Sequence, residues 1–429
     1  MSREVIRSRW GHHTLLCILI GMMGCDKTPS NLEDMLDPFI DAQVTDAELT
    51  SLPDMVAEVN DPNVLRVRFN PNGDDFYDTP WPSDARLTPR GTPNLSSFPT
   101  NHEPFLRVIH ELEERVFGFA NMPVIYVAFE DSISEINLPT PLESQSSSSP
   151  IQLFALGDQC GQRVPIDISV REQADRYINA DTLQVKTAIG APLIANQSYA
   201  LVILETLGSE RGQRVEPPTA FLESWAQASE ESEAPWSKTL SKLKVCLREA
   251  DLTQDQIALA TVFTPQDPVK TLQSMRDMVM DPQQVTTRPP TEFKKDLAWS
   301  RKRLNLTTYS GLVPFPMFQT GQPPYRIVGG GLRFDDDNHP IIQRWEEVPF
   351  AVAAREIPSE DFEGPRPVLV FIDGTGWSPW THLRSRWLSE ILDAGFIVFS
   401  FMPQFHGERA GVTISPELPT FNFLNPESG

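Results

Sequence analysis

Ser378, Asp393 and His406 follow one another in that order toward the end of a 429-residue chain. A hydroxyl, a carboxylate and an imidazole are the groups from which a nucleophile, an orienting acid and a general base are assembled for acyl transfer. On α/β sheets a serine nucleophile sits in a sharp strand-to-helix turn of the form G-x-S-x-G, and no such pentapeptide occurs anywhere in the chain. Ser378 lies between a strand and a helix, but the loop from Asp373 to Pro379 is long for an elbow and Pro379 follows directly. Those features argue against Ser378 as nucleophile. For His406, a hydrogen bond that steadies its own loop is the plainer role. The run Asp335-Asp336-Asp337-Asn338-His339 offers oxygen ligands but lacks a closing Glu and a glycine in loop register, so an acidic hairpin turn is expected rather than a calcium loop. No HExxH, CxxC or P-loop is present and the 7 His are scattered, so neither metal nor cofactor is expected.

These groups need elements to hold them. Arg366 to Ile372 is a near-continuous apolar run, followed by Asp373-Gly374-Thr375-Gly376-Trp377, a helical pattern from Trp380 to Asp393 and a second apolar run from Phe396 to Phe401. Strand, Gly-rich loop, helix and strand predict a right-handed βαβ unit in a parallel sheet. A further strand is expected from Trp345 to Ala353, and Gly329-Gly330-Gly331 precedes Leu332-Arg333-Phe334.

Upstream the pattern is shorter and more broken. Strands are predicted over Val64–Phe69, Val124–Phe129, Ile151–Leu156, Val164–Val170, Thr182–Lys186 and Tyr199–Leu204, separated by turn residues, as in an antiparallel sandwich. The aromatic, Pro-rich stretch around Trp81 is expected to run extended over the domain surface. Helices are predicted over Phe105–Arg115, over Pro235–Ala250 with Leu240, Leu243 and Leu247 on one face, and after Asp267-Pro268 through Leu272, Met275 and Val279. These leucine and methionine stripes are expected to be core faces. Thr253 to Phe263 gives a turn and strand.

Arg3, Arg7 and Arg9 precede an apolar run from Leu15 to Met23, too short to span a bilayer, which ends in Gly24-Cys25. Met22-Met23-Gly24-Cys25 resembles a bacterial lipobox, with Met where Leu is usual. The resemblance implies that Cys25 is acylated and holds the protein on a membrane of the bacterial cell envelope. Plain secretion and a retained anchor are the alternatives. Removing residues 1–24, with three Arg and one Glu, takes the formal charge from −22 to −24. An acidic surface repels phosphate backbones, so nucleic acid is not an expected partner. Of 4 Cys, Cys160 and Cys246 would remain free of the signal and the lipid, as a candidate disulfide or as two separate buried thiols.

The stretch Asp373-Gly374-Thr375-Gly376-Trp377 resembles the loop after a central strand of α/β-hydrolases, commonly His-Gly-Thr-Gly-Gly, and Phe405-His406-Gly407-Glu408-Arg409 resembles a His-Gly-Glu-Arg loop after their next strand. Together with Thr79-Pro80-Trp81-Pro82-Ser83-Asp84, Gln197-Ser198-Tyr199-Ala200-Leu201-Val202 and Gly329-Gly330-Gly331, the order is similar to that in exported bacterial lipase-like hydrolases with an Ig-like N-terminal region. The resemblance implies that Gly374, Thr375 and Gly376 are oxyanion-loop candidates and that an ester or lipid is the substrate class. A merely structural Gly-rich turn is the alternative reading of that loop.

The expected fold is therefore α+β and multidomain: an antiparallel, Ig-like β-sandwich with accessory helices, then an incomplete α/β-hydrolase-like parallel sheet. The expected divisions are a signal peptide at 1–24, a tether at 25–62, a β-rich domain at 63–220, a connecting region at 221–324 and the first part of a hydrolase domain at 325–429, cut short of its nucleophile. The chain is accordingly expected to be inactive as an esterase. The alternative is a non-enzymatic surface lipoprotein that binds a partner, with Trp81, Trp377 and Trp380 as contact aromatics.

Overall fold

The computed structural model describes residues 61–133, 136–298, 300, 305–335, 339–355, 365–372, 380–406, 409 and 425–428. The signal and Cys25, and the loop with Gly374, Thr375, Gly376, Trp377 and Ser378, lie outside the described residues. The architecture is mixed α+β, with several antiparallel sheets.

A four-stranded sheet has the order β4-β3-β7-β9, where β3 is Ile151–Ala155, β4 Arg163–Val164, β7 Tyr199–Leu204 and β9 Ile257–Phe263. Its three long strands are buried at every position. A strand buried on both faces reads as an unbroken apolar run, and Tyr199-Ala-Leu-Val-Ile-Leu204 and Ile257-Ala-Leu-Ala-Thr-Val-Phe263 are such runs. A three-stranded antiparallel sheet of β2 (Val124–Ala128), β6 (Thr182–Thr187) and β5 (Ile166–Arg171) sends alternate residues, Ile125, Val127, Leu183, Val185 and Ile166, into the same core. Helices α2 (Thr219–Ala226) and α3 (Pro235–Lys244) add Phe221, Trp225, Trp236, Leu240 and Leu243 to it. Much of the expected connecting region is thus part of the first core.

The strand expected over Val164–Val170 is two strands. Pro165 has no N–H to give a ladder; before it β4 pairs with β3, and after it β5 pairs with β6, so the chain changes sheets at the proline. Cys160, in the turn after β3, is joined to Cys246, just past α3, by a disulfide spanning 86 residues with Cα atoms 5.7 Å apart. A short parallel pair, β1 (Val64–Arg66) with β8 (Arg214–Glu216), closes this region.

Helix α4 (Lys270–Met280) departs from expectation, and helix α1 (Glu103–Arg115) is open in the same way. Neither buries a residue, and the α4 stripe is open to solvent, with Leu272 66% and Val279 38% exposed. Amphipathic spacing specifies a face without supplying a partner for it. Among the described residues, no helix is long and apolar enough to cross a membrane.

The second sheet has the order β10-β11-β12-β14-β13, formed by β10 (Thr291–Lys295), β11 (Leu306–Met317), β12 (Arg344–Arg355), β13 (Val368–Phe371) and β14 (Ile397–Phe401). The expectation of a parallel sheet is corrected here: only β13 and β14 run parallel, and every other pair is antiparallel. The apolar signal for parallel pairing was confined to those two strands, whereas β11 and β12 form one long hairpin. Helix α5 (Trp387–Asp393) sets Leu388 and Leu392 against Val398, Ala353 and Leu306 on one face.

Candidate functional site

In an α/β unit, ligands bind beyond the carboxyl ends of the parallel strands. The carboxyl ends of β13 and β14 lie side by side; in sequence the first is followed by residues 373–379, outside the described residues, and the second by Met402–His406. The described part of this rim is well anchored. His382 is 1% exposed and packs against the rings of Phe371 and Trp387, which also touch each other. Trp380 packs with the same cluster, so it is a core contact rather than a surface platform.

Below the second loop lies an ion-pair network. Arg344, on β12, donates through Nη2 to Glu346 Oε1 at 2.5 Å and to the Tyr325 hydroxyl at 2.6 Å. Arg409 donates through Nη2 to Glu346 Oε2 at 2.9 Å and through Nη1 to Met402 O at 2.9 Å. Burial pushes the Glu346 carboxyl up, but the hydrogen bonds and charges of Arg344 and Arg409 outweigh it and hold the group below the usual carboxylate range. The arginine of the His-Gly-Glu-Arg stretch is therefore a fastener: it ties its loop to the hairpin. His406 is 7% exposed, and its Nδ1 lies 2.8 Å from Gln404 O, which makes Nδ1 the protonated nitrogen.

Tyr325 is the centre of the adjoining loop. It is 1% exposed and backed edge-on by Phe405, and its carbonyl accepts from Asn425 Nδ2 at 2.6 Å. The three glycines seat this packing. A Cβ on Gly330, whose φ is +93°, would fall 2.4 Å from Ser428 Cβ, and one on Gly331 would fall 2.3 Å from Arg115 Nη2. Arg115 thereby reaches Glu427, 3.3 Å away.

Asp393 does not join His406. It ends α5 ahead of β14, whereas His406 follows β14, and a five-residue strand at ~3.3 Å per residue separates them. Asp393 instead pairs with Arg355 Nε at 2.6 Å. An acid at the amino end of the strand cannot orient an imidazole at its carboxyl end, so Asp393 and His406 are not two members of one triad.

The upstream motifs meet each other. Asp84 accepts from Thr264 N and Thr264 Oγ1, both at 2.8 Å, and pairs with Lys242 at 2.9 Å; Ser198 Oγ lies 2.8 Å from Thr264 Oγ1. The stretches around Trp81 and Ser198 are thus two sides of one polar clasp over the end of β9. That role is structural, and nothing in their composition distinguishes it from a catalytic one. Trp81 is wedged against Phe76 and Phe119.

At the two ends of the acidic run, Asp335 N donates to His339 O at 3.0 Å and His339 N to Asp335 Oδ1 at 2.7 Å; residues 336–338 lie outside the described residues. Among the described residues, no three His, Cys, Asp or Glu side chains gather as a metal site. No protein-family model, curated protein or solved structure matches this chain.

Proposed function

We propose that the chain is an exported lipoprotein, held on a cell-envelope membrane through an acylated Cys25, whose C-terminal sheet is of the serine ester hydrolase type. The observation that carries this is topological. Counted from β11, the third strand, β13, ends in the Gly-rich loop, the first helix follows, and the fourth strand, β14, inserts between the second and third. In α/β-hydrolases the loop between the third strand and first helix supplies an oxyanion donor. Backbone N–H groups of Gly374, Thr375 and Gly376 would play that part, with an ester or lipid as substrate.

For the upstream region, the Ig-like reading is supported by Tyr199 at the start of β7, whose hydroxyl accepts from Ile194 N at 3.1 Å, five residues back. That resembles the tyrosine corner of Ig-like sandwiches.

Because G-x-S-x-G is missing from the sequence, the purified chain is expected to leave short-chain 4-nitrophenyl esters unhydrolysed. Turnover that disappears in Ser378→Ala would overturn this. The oxyanion reading is tested separately by titrating butylphosphonate, a tetrahedral oxyanion that needs no nucleophile, into ¹⁵N-labelled protein: amide signals of Gly374, Thr375 and Gly376 should shift, and unmoved signals would argue for a merely structural turn. Cys25→Ala should move the exported protein from the membrane fraction to the soluble one.

A further inference from the structure

A cavity of about 270 Å³ opens on the upstream domain between the extended stretch around Trp81, the start of α1 and the loop after β5. Its walls include Phe76, Tyr77, Phe98, Tyr126, Tyr177 and Ile178, and they are overwhelmingly apolar. The rings are arranged as a box. Phe98 and Tyr177 lie nearly parallel, 19° apart with centroids 6.1 Å apart, while Phe76 meets Phe98 edge-on at 5.3 Å and Tyr77 meets Tyr126 at 62° and 5.7 Å.

The charges around the box are already engaged. Arg86 does not line the cavity; its guanidinium lies 4.0 Å from the centroid of Phe76 and 4.8 Å from that of Trp81, and donates to Phe76 O at 2.7 Å. A cation on these rings disfavours a second one inside the box. Asp175 accepts from Tyr177 N and Ile178 N at 2.8 Å each and pairs with Arg171; Asp75 accepts from Tyr77 N at 2.8 Å.

One polar group stands apart. Tyr77 lines the cavity and is 4% exposed, and its hydroxyl, which makes no hydrogen bond among the described residues, is not sealed from solvent. A phenolic hydroxyl in an apolar cavity, without a protein acceptor, is free to donate to a bound one. Burial, then Tyr126 and Asp175, push this phenol well above its ordinary value, so it remains a donor. The volume falls just under the range of ~300–1,000 Å³ for drug-sized ligands, which suits a single ring.

We propose that this cavity binds a neutral aromatic group bearing an oxygen acceptor, an aryl carbonyl, with the ring between the aromatic walls and the oxygen accepting from the Tyr77 hydroxyl. The site is independent of the acyl-transfer reading and involves no chemistry on the ligand.

Benzamide is the probe, chosen because it is neutral, has one ring and is no ester. Titrated into the full chain at millimolar concentration, it should show saturation transfer from the protein. Tyr77→Phe, which keeps the ring and removes the donor, should weaken binding about five-fold, in line with the ~0.5–1.5 kcal/mol of one hydrogen bond. Ile178→Trp should fill the cavity and abolish binding at unchanged circular dichroism. Should that variant misfold, Phe98→Leu, which removes one aromatic wall, should weaken binding by a similar factor. Absence of saturation transfer to benzamide, or an affinity indifferent to Tyr77→Phe, would overturn the proposal.

Discussion

The two sheets of this chain differ in how completely they are covered. In the four-stranded sheet, β3, β7 and β9 have no exposed position, and both helices and a second sheet contribute to one core. In the five-stranded sheet, α5 covers one face of β13 and β14, while on the other Val368, Val370 and Ile372 are 56–60% exposed and Phe293 59%. The same residue types thus carry different energetic weight. Apolar burial contributes roughly 25 cal/mol per Å² removed from water, so an alternating run with one wet face supplies about half the drive of one with two dry faces. The first region is a folding core. The second is a platform for loops, held by one helix and by ion pairs at its rim.

Matched truncations should separate the two most sharply. Phe154→Ala, at a fully buried position on β3, should cost about 3–5 kcal/mol. Val370→Ala, at a position 57% exposed on β13, should cost under ~1 kcal/mol. Urea denaturation followed by tryptophan fluorescence reads both, and equal losses would dissolve the distinction. The next largest effect is expected from Cys160→Ala combined with Cys246→Ala. Removing a constraint across 86 residues should lower the midpoint of the first region by the equivalent of about 2–4 kcal/mol, with the five-stranded sheet unaffected.

Asp84→Asn is expected to be milder. It keeps one acceptor for Thr264 but removes the charge that holds Lys242. A loss of about 1 kcal/mol is expected, read as a lower melting temperature. Retained stability would mean that the clasp over β9 rests on the Thr264 and Ser198 hydroxyls alone.

How much of this was legible in the sequence follows from the same contrast. Strands buried on both faces announce themselves, and β3, β7 and β9 lie where the apolar runs stand, while β2 and β6 bury alternate residues and were still placed by their spacing. The hairpin strand β11 was not expected, and it carries Pro314 and Pro316, residues that a sheet seldom admits. They are tolerated because β10 pairs with β11 only as far as Leu312, so beyond it the outer edge needs no N–H. Strand β10 is exposed throughout and carries no apolar alternation to detect. At the candidate site, the Gly-rich loop and the following helix and strand were readable as a unit, but the network of Arg344, Glu346, Arg409 and Tyr325 was not. Its members are up to 84 residues apart, numbered from Tyr325 to Arg409, and only β11–β12 pairing and the turn after β14 bring them together. The aromatic box around Tyr77 was equally hidden, since residues from four separate segments build it.

The smallest effect sharpens the comparison through pH. Glu346 lies between Arg344 and Arg409 in the second region, and its pKa is held below the ordinary 4.5 because their hydrogen bonds and charges outweigh the opposing effect of burial. A carboxyl depressed in the folded state contributes stability that is fully present above its unfolded value and is lost as pH falls from there through the folded value. The five-stranded sheet should therefore weaken below about pH 4.5, as the carboxylate is protonated and Arg409 loses its anchor to the hairpin. Glu346→Gln keeps the shape and removes the titration. Its loss of stability should be greatest near neutral pH, where the carboxylate contributes in full, and should fade toward acid, so the acid limb of the stability curve for this sheet should flatten. Hydrogen exchange of the β12 and β14 amides from pH 3 to pH 7, corrected for intrinsic rates, resolves that limb from the rest of the molecule. If protection in β3 and β9 fell in step with it and the flattening appeared in both regions, the sheets would unfold as one cooperative unit, and the contrast between core and platform would be one of exposure without a difference in stability.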